Sequence, residues 1–364
     1  MSGPEASPRP SARHDERDTM FARMARKPGT DEYADYYTRR PELQRADDRL
    51  RELPRLLEPG GRYFDEAIAH EADGFFEAIA EIEPDPAEVE RWAERLRAAD
   101  EPTATVKALV RACGAVAVGC TALDAAFVYT HKGRLDEDYG HQVELDHSDA
   151  VVFLVEMDYD TCQRAPTAPM IRESARQYYR AARAAFVLEA VLRACGYKAK
   201  PHYDAHYDLV LPPLAVAAGL GELGRNNILV ADGYGSRVRI GAVSTDLALR
   251  RDAPVDLGVQ AFCEICRKCA DACPSRALST GEQEEIAGVK KWPTRVEACY
   301  GLWRAYGTDC GICLATCPFS HRKSRFHDLV RAMVRRFRWT HRPALWLDDR
   351  IYGRQWRPRV TRSG

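Results

Sequence analysis

Eight of the twelve cysteines in this 364-residue chain lie between residues 263 and 317, in two closely spaced runs. The first run, CEICRKCADACP, begins at Cys263 and has C-x2-C-x2-C-x3-C-P spacing. In this pattern three cysteines bind one [4Fe–4S] cluster and the fourth binds a second cluster. The run therefore predicts that the chain folds around two clusters and that further ligands come from elsewhere in the sequence.

The second run, CGICLATCP, begins at Cys310 and has C-x2-C-x3-C-P spacing, and Cys299 lies eleven residues before it. These residues complete two sets of four. We predict one cluster on Cys263, Cys266, Cys269 and Cys317, and another on Cys273, Cys299, Cys310 and Cys313. Zinc sites also use C-x2-C pairs, but zinc does not explain the additional cysteines that precede the two prolines. The other four cysteines are predicted to be buried small hydrophobic residues: Cys113, Cys120, Cys162 and Cys195.

The charge balance excludes a strong global field. The chain has 53 basic and 54 acidic side chains and a formal net charge of -1, so attraction to nucleic acid or to an anionic membrane is not predicted. The start of the sequence lacks the apolar run of a secretory signal, and no later segment is apolar enough to span a bilayer. We therefore expect a cytoplasmic protein whose cysteines are metal ligands rather than disulfides.

The hydrophobic pattern divides the chain into four parts. Residues 1–100 are predicted to form a mobile segment and a helical region, in which Asp85 caps a helix. Residues 101–258 alternate between helical and strand patterns, which predicts an α/β (α+β) sandwich with a central sheet. Residues 259–322 hold the cysteine runs, in a predicted two-cluster ferredoxin-like domain. Residues 323–364 are predicted to form a basic C-terminal helix and tail, with an apolar stripe of Leu329, Val330, Met333, Val334 and Phe337 docked on the body.

Several segments together carry a resemblance to a known family. They are YTHKGRLDEDYG at 129–140, VVFLVEMD at 151–158, VLRACGYKA at 191–199, GLGELGRNNILVADGYGSRVRIGAVSTDL at 219–247, and KKWPTRVEACYGLWRAYGTDCGICLATCPFSH at 290–321. On these segments the chain resembles the reductive dehalogenases, which are corrinoid iron–sulfur proteins that remove halide from organohalides. GLGELGR and the cysteine runs are also similar to epoxyqueuosine reductase. THKGR, the W-x6-C-x3-W spacing that starts at Trp292, and CPFS are similar to the dehalogenase branch.

The resemblance implies a base-off cobalamin bound to a nitroreductase-like fold, with two [4Fe–4S] clusters to reduce its cobalt. It implies that halogen is replaced by hydrogen on a small organohalide, with electrons from a separate donor such as ferredoxin or flavodoxin. The family's proton-donating tyrosine corresponds to Tyr178 in RQYYR, next to Tyr179, and the basic residue that favours its phenolate corresponds to Arg237 in YGSRVR. Cluster potentials extend to about −700 mV, which suits the reduction of cobalt.

Further residues are assigned to the corrinoid on the same resemblance. Gly219, Gly221 and Gly224 form G-x-G-x-x-G. Because no strand pattern precedes them and no acidic residue follows at the required distance, we predict backbone approach to the corrinoid rather than a nicotinamide site. Arg225 and His206 are assigned to the same site. For His206 the alternatives are a polar group at the substrate and a core histidine hydrogen-bonded to the backbone, and of these two we prefer the core histidine. The segment HYDAHYDLVLPPLA at 202–215 departs from the family and leaves the substrate open.

Two alternative functions remain at this point. One is a corrinoid reductase similar to epoxyqueuosine reductase that acts on another substrate, and salt-dependent binding of transfer RNA would favour it. The other is an electron-transfer protein with two [4Fe–4S] clusters and no cobalt. The basic residues after residue 322 would suit an acidic electron donor, whereas no nucleic-acid partner is expected for the leading interpretation.

Overall fold

The computed structural model of the chain describes residues 12–356. Part of the segment expected to be mobile, residues 1–11, and the end of the basic tail, residues 357–364, lie outside the described residues. The helices are α1 (Met20–Ala25), α2 (Asp31–Arg39), α3 (Pro41–Arg51), α4 (Glu66–Ala80), α5 (Pro86–Arg97), α6 (Pro102–Ala112), α7 (Tyr159–Cys162), α8 (Pro169–Ala194), α9 (Leu211–Ala217), α10 (Val259–Ile265), α11 (Lys268–Asp271), α12 (Val296–Tyr306), α13 (Ile312–Ala315), α14 (Arg325–Arg336) and α15 (His341–Tyr352). The strands are β1 (Ala117–Ala122), β2 (Asp149–Glu156), β3 (Ala199–His202), β4 (Gly221–Leu223), β5 (Leu229–Ala231), β6 (Val238–Thr245), β7 (Glu284–Ile286) and β8 (Val289–Lys291).

The helices before the sheet begin at residues that cap them. Thr30, Asp65 and Asp85 lie immediately before α2, α4 and α5, and each side chain accepts a hydrogen bond from a backbone N–H of the first turn. Pro86 occupies the first position of α5, where a backbone N–H has no helical partner in any case. The predicted capping by Asp85 is confirmed.

A four-stranded antiparallel sheet in the order β1-β2-β6-β3 forms the centre of the fold. Successive side chains of a strand point to opposite faces of a sheet. In β2, Phe153 therefore packs with helices α5, α6 and α8, whereas Val152 packs with α9 and the hairpin β4-β5 on the other face. The sheet is covered on both faces, and the predicted mixed α/β fold is confirmed.

Helix α8 is the longest element, with 26 residues, and it crosses one face of the sheet. It begins at Pro169, and Gly196 follows its end with a left-handed φ of 88°. Gly241 of β6 permits the close approach of helix and strand, because a Cβ there would lie 2.6 Å from the ring of Phe153 and 3.3 Å from Ala181. This packing places the middle of α8 directly beside β6.

The cysteine runs form a separate layer of short helices, α10 to α13, with the small hairpin β7-β8. Gly235, which precedes β6, has a φ of 60°, and a Cβ there would lie 2.5 Å from the backbone of Phe319 and Ser320. The loop before β6 therefore meets the CPFS segment with no space for a side chain.

Helices α14 and α15 pack on this layer, but by less of α14 than the apolar stripe predicted. Val334 is buried and Val330 packs beside it. Leu329, Met333 and Phe337 are exposed by 60%, 38% and 46%, so half of the expected docking face is open to solvent. None of the helices within residues 12–356 has the length and apolar character needed to cross a membrane.

Candidate active site and cluster sites

Cys263, Cys266, Cys269 and Cys317 line one cavity of about 320 Å³. The first three come from α10, α11 and the residue that links them, and Cys317 reaches the cavity from the turn after α13. The rings of Phe262 and Phe319 meet edge to face beside it, with their centroids 5.3 Å apart. Arg225 also lines the cavity, and its Nε and Nη2 donate hydrogen bonds to the carbonyl oxygen of Cys263. The chain thus encloses four thiols in an apolar space with one cation at its edge.

The thiols of Cys273, Cys299, Cys310 and Cys313 are close enough to interact with one another, and Cys313 also interacts with Cys317. The two sets therefore adjoin. Burial raises the pKa of the Cys299 thiol to about 11 and that of the Cys310 thiol to about 12, so at neutral pH these thiolates need metal to stabilise them. Within residues 12–356, no three His, Cys, Asp or Glu side chains are grouped so as to hold a single metal ion.

Tyr178 lies midway along α8, and its half-buried ring has a cation beside it. The Cζ atom of Arg239, on β6, is 5.1 Å from the ring centroid, and the ring of Phe76, on α4, is 6.2 Å away. Arg239 lowers the pKa of Tyr178, whereas burial and the carboxylates of Asp204 and Asp309 raise it, and the net effect is an increase. The phenol is therefore protonated at neutral pH and can serve as an acid.

Arg239 is fixed by α8 and by the loop that leads to the second cysteine run. Its Nη2 donates to Ser174 Oγ at 2.5 Å and to Asp309 Oδ2 at 3.2 Å, and Ser174 Oγ itself donates to Asp309. Cys310 follows Asp309 directly in the chain. One hydrogen-bonded group therefore connects the cation beside Tyr178 to a cysteine of the second set.

Arg134, from the loop at 129–140, provides a second cation near the phenol. It interacts electrostatically with Tyr178, and its Nη1 lies 3.2 Å from Asp204 Oδ1. Its guanidinium carbon is 4.9 Å from the ring centroid of Phe21, whose ring packs edge to face on Tyr300 of α12 at 5.7 Å. Helix α1, this loop and α12 thus bring aromatic and cationic side chains to the same region as Tyr178.

Two buried polar atoms next to this region have no hydrogen-bond partner within the described residues. They are Nε of Arg239 and Oγ1 of Thr308. A buried polar atom without a partner costs about 1 to 3 kcal/mol. A polar ligand that reached these atoms would remove that cost.

Comparison with known proteins identifies the relatives of the chain. Residues 262–321 match the family model of the 4Fe-4S dicluster domain. The chain is 33% identical over 215 residues to a tetrachloroethene reductive dehalogenase of Desulfitobacterium hafniense, which covers 56% of this chain and 38% of that protein. It is 28% identical over 288 residues to the tetrachloroethene reductive dehalogenase of Sulfurospirillum multivorans, which covers 70% of this chain and 57% of that protein. The chain is therefore similar to reductive dehalogenases over more than half of its length.

The chain is also similar to solved structures of reductive dehalogenases. A catabolic reductive dehalogenase solved with 3-bromo-4-hydroxybenzoic acid is 29% identical, with a TM-score of 0.64 over 71% of this chain and 37% of that chain. A tagged catabolic reductive dehalogenase aligns over 94% of this chain with a TM-score of 0.73 at 23% identity, which shows the shared fold. The chain spans less than two thirds of the length of the curated dehalogenases that it matches.

Similarity to epoxyqueuosine reductase, the other family suggested by the sequence, covers less of the chain. The chain is 34% identical over 140 residues to the epoxyqueuosine reductase of Lactococcus garvieae, which covers 35% of this chain and 37% of that protein.

A further solved reductive dehalogenase, for which a mechanism of B12-dependent dehalogenation has been suggested, is 29% identical to the chain with a TM-score of 0.64.

Arg237, which the resemblance assigned to the site, has its contacts away from Tyr178. Its buried guanidinium donates to the carbonyl oxygens of Ser320 and Met157, at 2.7 and 2.8 Å, and to Glu156 at 3.0 Å. The arginine at the phenol is Arg239, two residues later. The two arginines lie in the same segment, and which of them faces α8 depends on contacts that are distant in sequence.

The predicted corrinoid contacts are distributed over different places. Gly219 and Gly221 approach backbone, since a Cβ on either would meet the carbonyl oxygen of Ala253 or of Val230. A Cβ on Gly224 would lie 2.9 Å from Asn226 Oδ1. Arg225 lines the first cysteine cavity. Gly221 and Gly224 thus shape the hairpin β4-β5, whereas Gly219 lies against the loop at 252–253. Arg225 lies at the cysteines rather than at Tyr178.

The buried histidine of this segment is His202 rather than His206. His206 is exposed and stacks on Tyr203, with ring centroids 4.9 Å apart, and it interacts electrostatically with Arg134 and Asp204. His202 is the buried histidine, hydrogen-bonded through Nε2 to Ser244 Oγ at 2.8 Å. The sequence did not single out Arg134, Ser174, Arg239 or Asp309, because no local motif marks residues that meet only across the fold.

Proposed function

We propose that this chain carries the catalytic centre of a cobalamin- and iron–sulfur-dependent reductive dehalogenase, which replaces halogen by hydrogen on a small organohalide. One observation carries the proposal: a protonated phenol, Tyr178, lies against Arg239, and Arg239 is hydrogen-bonded to Asp309, the residue before Cys310. A proton source and a cluster ligand are thus joined by one set of contacts, as a reaction that consumes a proton together with electrons requires.

The cysteine geometry supports two [4Fe–4S] clusters on the predicted sets. Cys263, Cys266, Cys269 and Cys317 surround a common cavity, and the other four thiols interact mutually. Because Cys310 follows Asp309, we assign the second set to the cluster nearer Tyr178 and the first set to the more distant one. Electrons would then pass from the first set to the second.

The residues around Tyr178 fit a cobalamin. The corrin ring is fringed by amide groups, which suit the unpartnered buried Nε of Arg239 and Oγ1 of Thr308. Both ring nitrogens of His202 have partners, Ser244 Oγ and the backbone N–H of Asp208, so neither nitrogen is free to bind a metal. When bound, cobalamin would supply a low-potential cobalt centre for cleavage of the carbon–halogen bond.

The chain's own residues supply the proton and its control. Replacement of halogen consumes two electrons and one proton and releases one halide ion. Tyr178 donates the proton from its hydroxyl to carbon, and Arg239 stabilises the phenolate that remains, held in place by Ser174 and Asp309. Arg134 adds positive charge at the same hydroxyl. The phenolate then regains a proton from solvent.

The first test is the metal content and activity of protein produced anaerobically with cobalamin supplied. We expect about one cobalt and about eight irons per chain, a base-off Co(II) signal in electron paramagnetic resonance, and release of halide from an organohalide such as 3-bromo-4-hydroxybenzoic acid or tetrachloroethene. Iron without cobalt would instead favour an electron-transfer protein. Cobalt and iron without halide release from any organohalide would favour a corrinoid reductase with another substrate, such as an RNA-linked one.

Tyr178→Phe should lower turnover by at least about 100-fold, since general acid catalysis contributes factors of that size or more, and should leave the cobalt and iron contents unchanged. Tyr179→Phe is the matched control, because this neighbour lies against Phe75 of α4, with ring centroids 6.1 Å apart, and should retain activity. Equal turnover in the two variants would remove Tyr178 from the reaction.

A further inference from the structure

A surface concavity of about 1130 Å³ lies directly outside the first cysteine cavity. Its walls are the loop between Cys263 and Cys269, the segment at 280–282, and helix α15. Arg225 lines both the concavity and the cysteine cavity. A molecule seated in this concavity would therefore be separated from the cysteines only by Arg225 and the residues of the ligand loop itself.

Helix α15 is held rigidly against that loop. Lys268, which lies between Cys266 and Cys269, is buried and forms an ion pair with Asp348, and its Nζ is 3.4 Å from Asp349 Oδ1. Asp348 also contacts His321 Nε2 at 2.5 Å. Helix α15 is thus a fixed part of the surface beside the cysteines.

The segment formed by α14 and α15, residues 325–352, carries more positive than negative charge. Its three acidic residues, Asp328, Asp348 and Asp349, all form ion pairs. Six exposed arginines have no ion-pair partner within the described residues: Arg325, Arg335, Arg336, Arg338, Arg342 and Arg350. The surface around α15 therefore presents uncompensated positive charge.

One face of α15 carries that charge to the concavity. Arg342, Trp346 and Arg350 follow at intervals of four residues and so share a side of the helix. Arg342 and Trp346 line the concavity, Trp346 is 60% exposed, and the Arg350 guanidinium carbon lies 5.4 Å from its ring centroid. Among the other charged residues that line the concavity, Glu264 and Glu282 are offset by Arg225 and Arg267, and Asp349 pairs with Arg354 at 3.2 Å. The uncompensated charge is therefore that of Arg342, with Arg350 next to it.

We propose that this concavity is the docking site of the electron donor, a small acidic carrier protein that delivers electrons to the cluster on Cys263, Cys266, Cys269 and Cys317. The proposal rests on the proposed function in that it requires the clusters. An exposed tryptophan flanked by arginines is typical of the centre of a protein interface, and an excess of positive charge accelerates encounter with an acidic partner. The second cysteine set adjoins the region of Tyr178, which leaves the first set as the entry point.

The test uses the full chain with reconstituted clusters and a double variant, Arg342→Glu/Arg350→Glu. A reduced plant-type [2Fe–2S] ferredoxin of net negative charge serves as donor, and loss of the visible cluster absorbance is followed by stopped flow. We expect the second-order rate constant to fall at least about tenfold at low salt, with most of its dependence on ionic strength lost. Reduction by the methyl viologen radical, which needs no docking site, should be unchanged.

The matched control is Arg91→Glu/Arg111→Glu, which makes the same change in charge at exposed residues of α5 and α6, outside the cysteine layer. It should keep both rates, and Arg342→Lys/Arg350→Lys should keep the ferredoxin rate. An unchanged rate in Arg342→Glu/Arg350→Glu, or an equal fall in the control, would overturn the proposal. The alternative occupant is an anionic membrane. If Arg342→Glu/Arg350→Glu lost binding to phosphatidylserine vesicles and kept the ferredoxin rate, that result would also overturn the proposal. Because cluster reduction requires neither cobalamin nor organohalide, this result is independent of whether the protein dehalogenates.

Discussion

The acid strength of Tyr178 is set by charges of both signs. Arg239 and Arg134 favour the phenolate, whereas burial, Asp204 and Asp309 favour the phenol, and the phenol prevails. The resemblance implies a basic neighbour that favours the phenolate, and Arg239 acts in that direction without reversing the rise in the pKa of Tyr178. A neutral phenol that is backed by a fixed cation has a proton to give and a means to stabilise what remains.

His202 makes the stability of the fold depend on pH. Burial lowers the pKa of its imidazole to about 3, from about 6.5 in the unfolded chain. Between these values the unfolded chain binds one more proton, so stability falls as the pH drops below 6.5. From pH 7.5 to pH 5.5 this group should remove about 1.4 kcal/mol from the free energy of unfolding.

Urea unfolding of the wild type and of His202→Gln at the two pH values measures this contribution. The variant should be less stable at pH 7.5, because the contact with Ser244 is altered, but its loss between pH 7.5 and 5.5 should be smaller by about the same 1.4 kcal/mol. His141→Gln is the control, since that imidazole is exposed. An identical pH dependence in all three proteins would show that His202 is not the group responsible.

Single residues mark the limit of what the sequence predicts here. Spacing alone placed eight cysteines in two sets that the fold brings together as two groups, because iron–sulfur ligation imposes local geometry on the chain. Nothing local distinguishes Arg237 from Arg239. Their roles depend on α8 and on Ser320, which are distant in sequence.

At the scale of elements, the two cysteine runs exchange one ligand each. Cys317 belongs to the second run but lines the cavity of the first, and Cys273 belongs to the first run but interacts with Cys299 and Cys310. Neither loop can therefore complete a cluster site without the other.

Replacement of single cysteines tests this grouping. Cys317→Ala and Cys263→Ala should each lose about four irons and leave the same residual electron paramagnetic resonance spectrum, although the residues are far apart in sequence. Cys299→Ala should also lose about four irons but leave the complementary spectrum. If Cys317→Ala resembles Cys299→Ala instead, the two sets are partitioned differently.

The strands were easier to predict than the C-terminal helix. AVVFLVEM at 150–157 and SRVRIGAV at 236–243 are among the strand patterns of residues 101–258, and β2 and β6 match them to within one or two residues. A valine-rich segment that is buried on both faces is well suited to a central strand. The apolar stripe of α14 has helical spacing, yet only Val330 and Val334 contact the body. Periodicity shows that a face is apolar and does not show what covers it.

At the scale of the whole molecule, Arg237 joins the sheet to the cysteine layer. Its side chain leaves the start of β6 and binds the carbonyl oxygen of Ser320, while it also holds Met157 and Glu156 at the end of β2. Gly235 allows the same two layers to meet backbone to backbone. The relative position of Tyr178 and Cys310 depends on this junction.

Arg237→Met should therefore lower the free energy of unfolding by about 2 to 4 kcal/mol, since it leaves buried carbonyl oxygens without donors. The shift of the urea midpoint measures the loss. Arg322→Met is the control, because that exposed arginine pairs only with Asp160 and the ring of Tyr159 and should change stability by less than about 1 kcal/mol. A midpoint for Arg237→Met equal to that of the control would mean that the junction does not depend on this residue.

Cys313 and Cys317 are four residues apart, on α13 and the turn that follows it, yet they belong to different sets. Four residues of helix advance by about 6 Å. The tunnelling gap between two clusters held by these thiols would be set by a single turn of backbone. Movements between the sheet and the cysteine layer would alter the distance from cluster to substrate. The distance between the two clusters would stay constant.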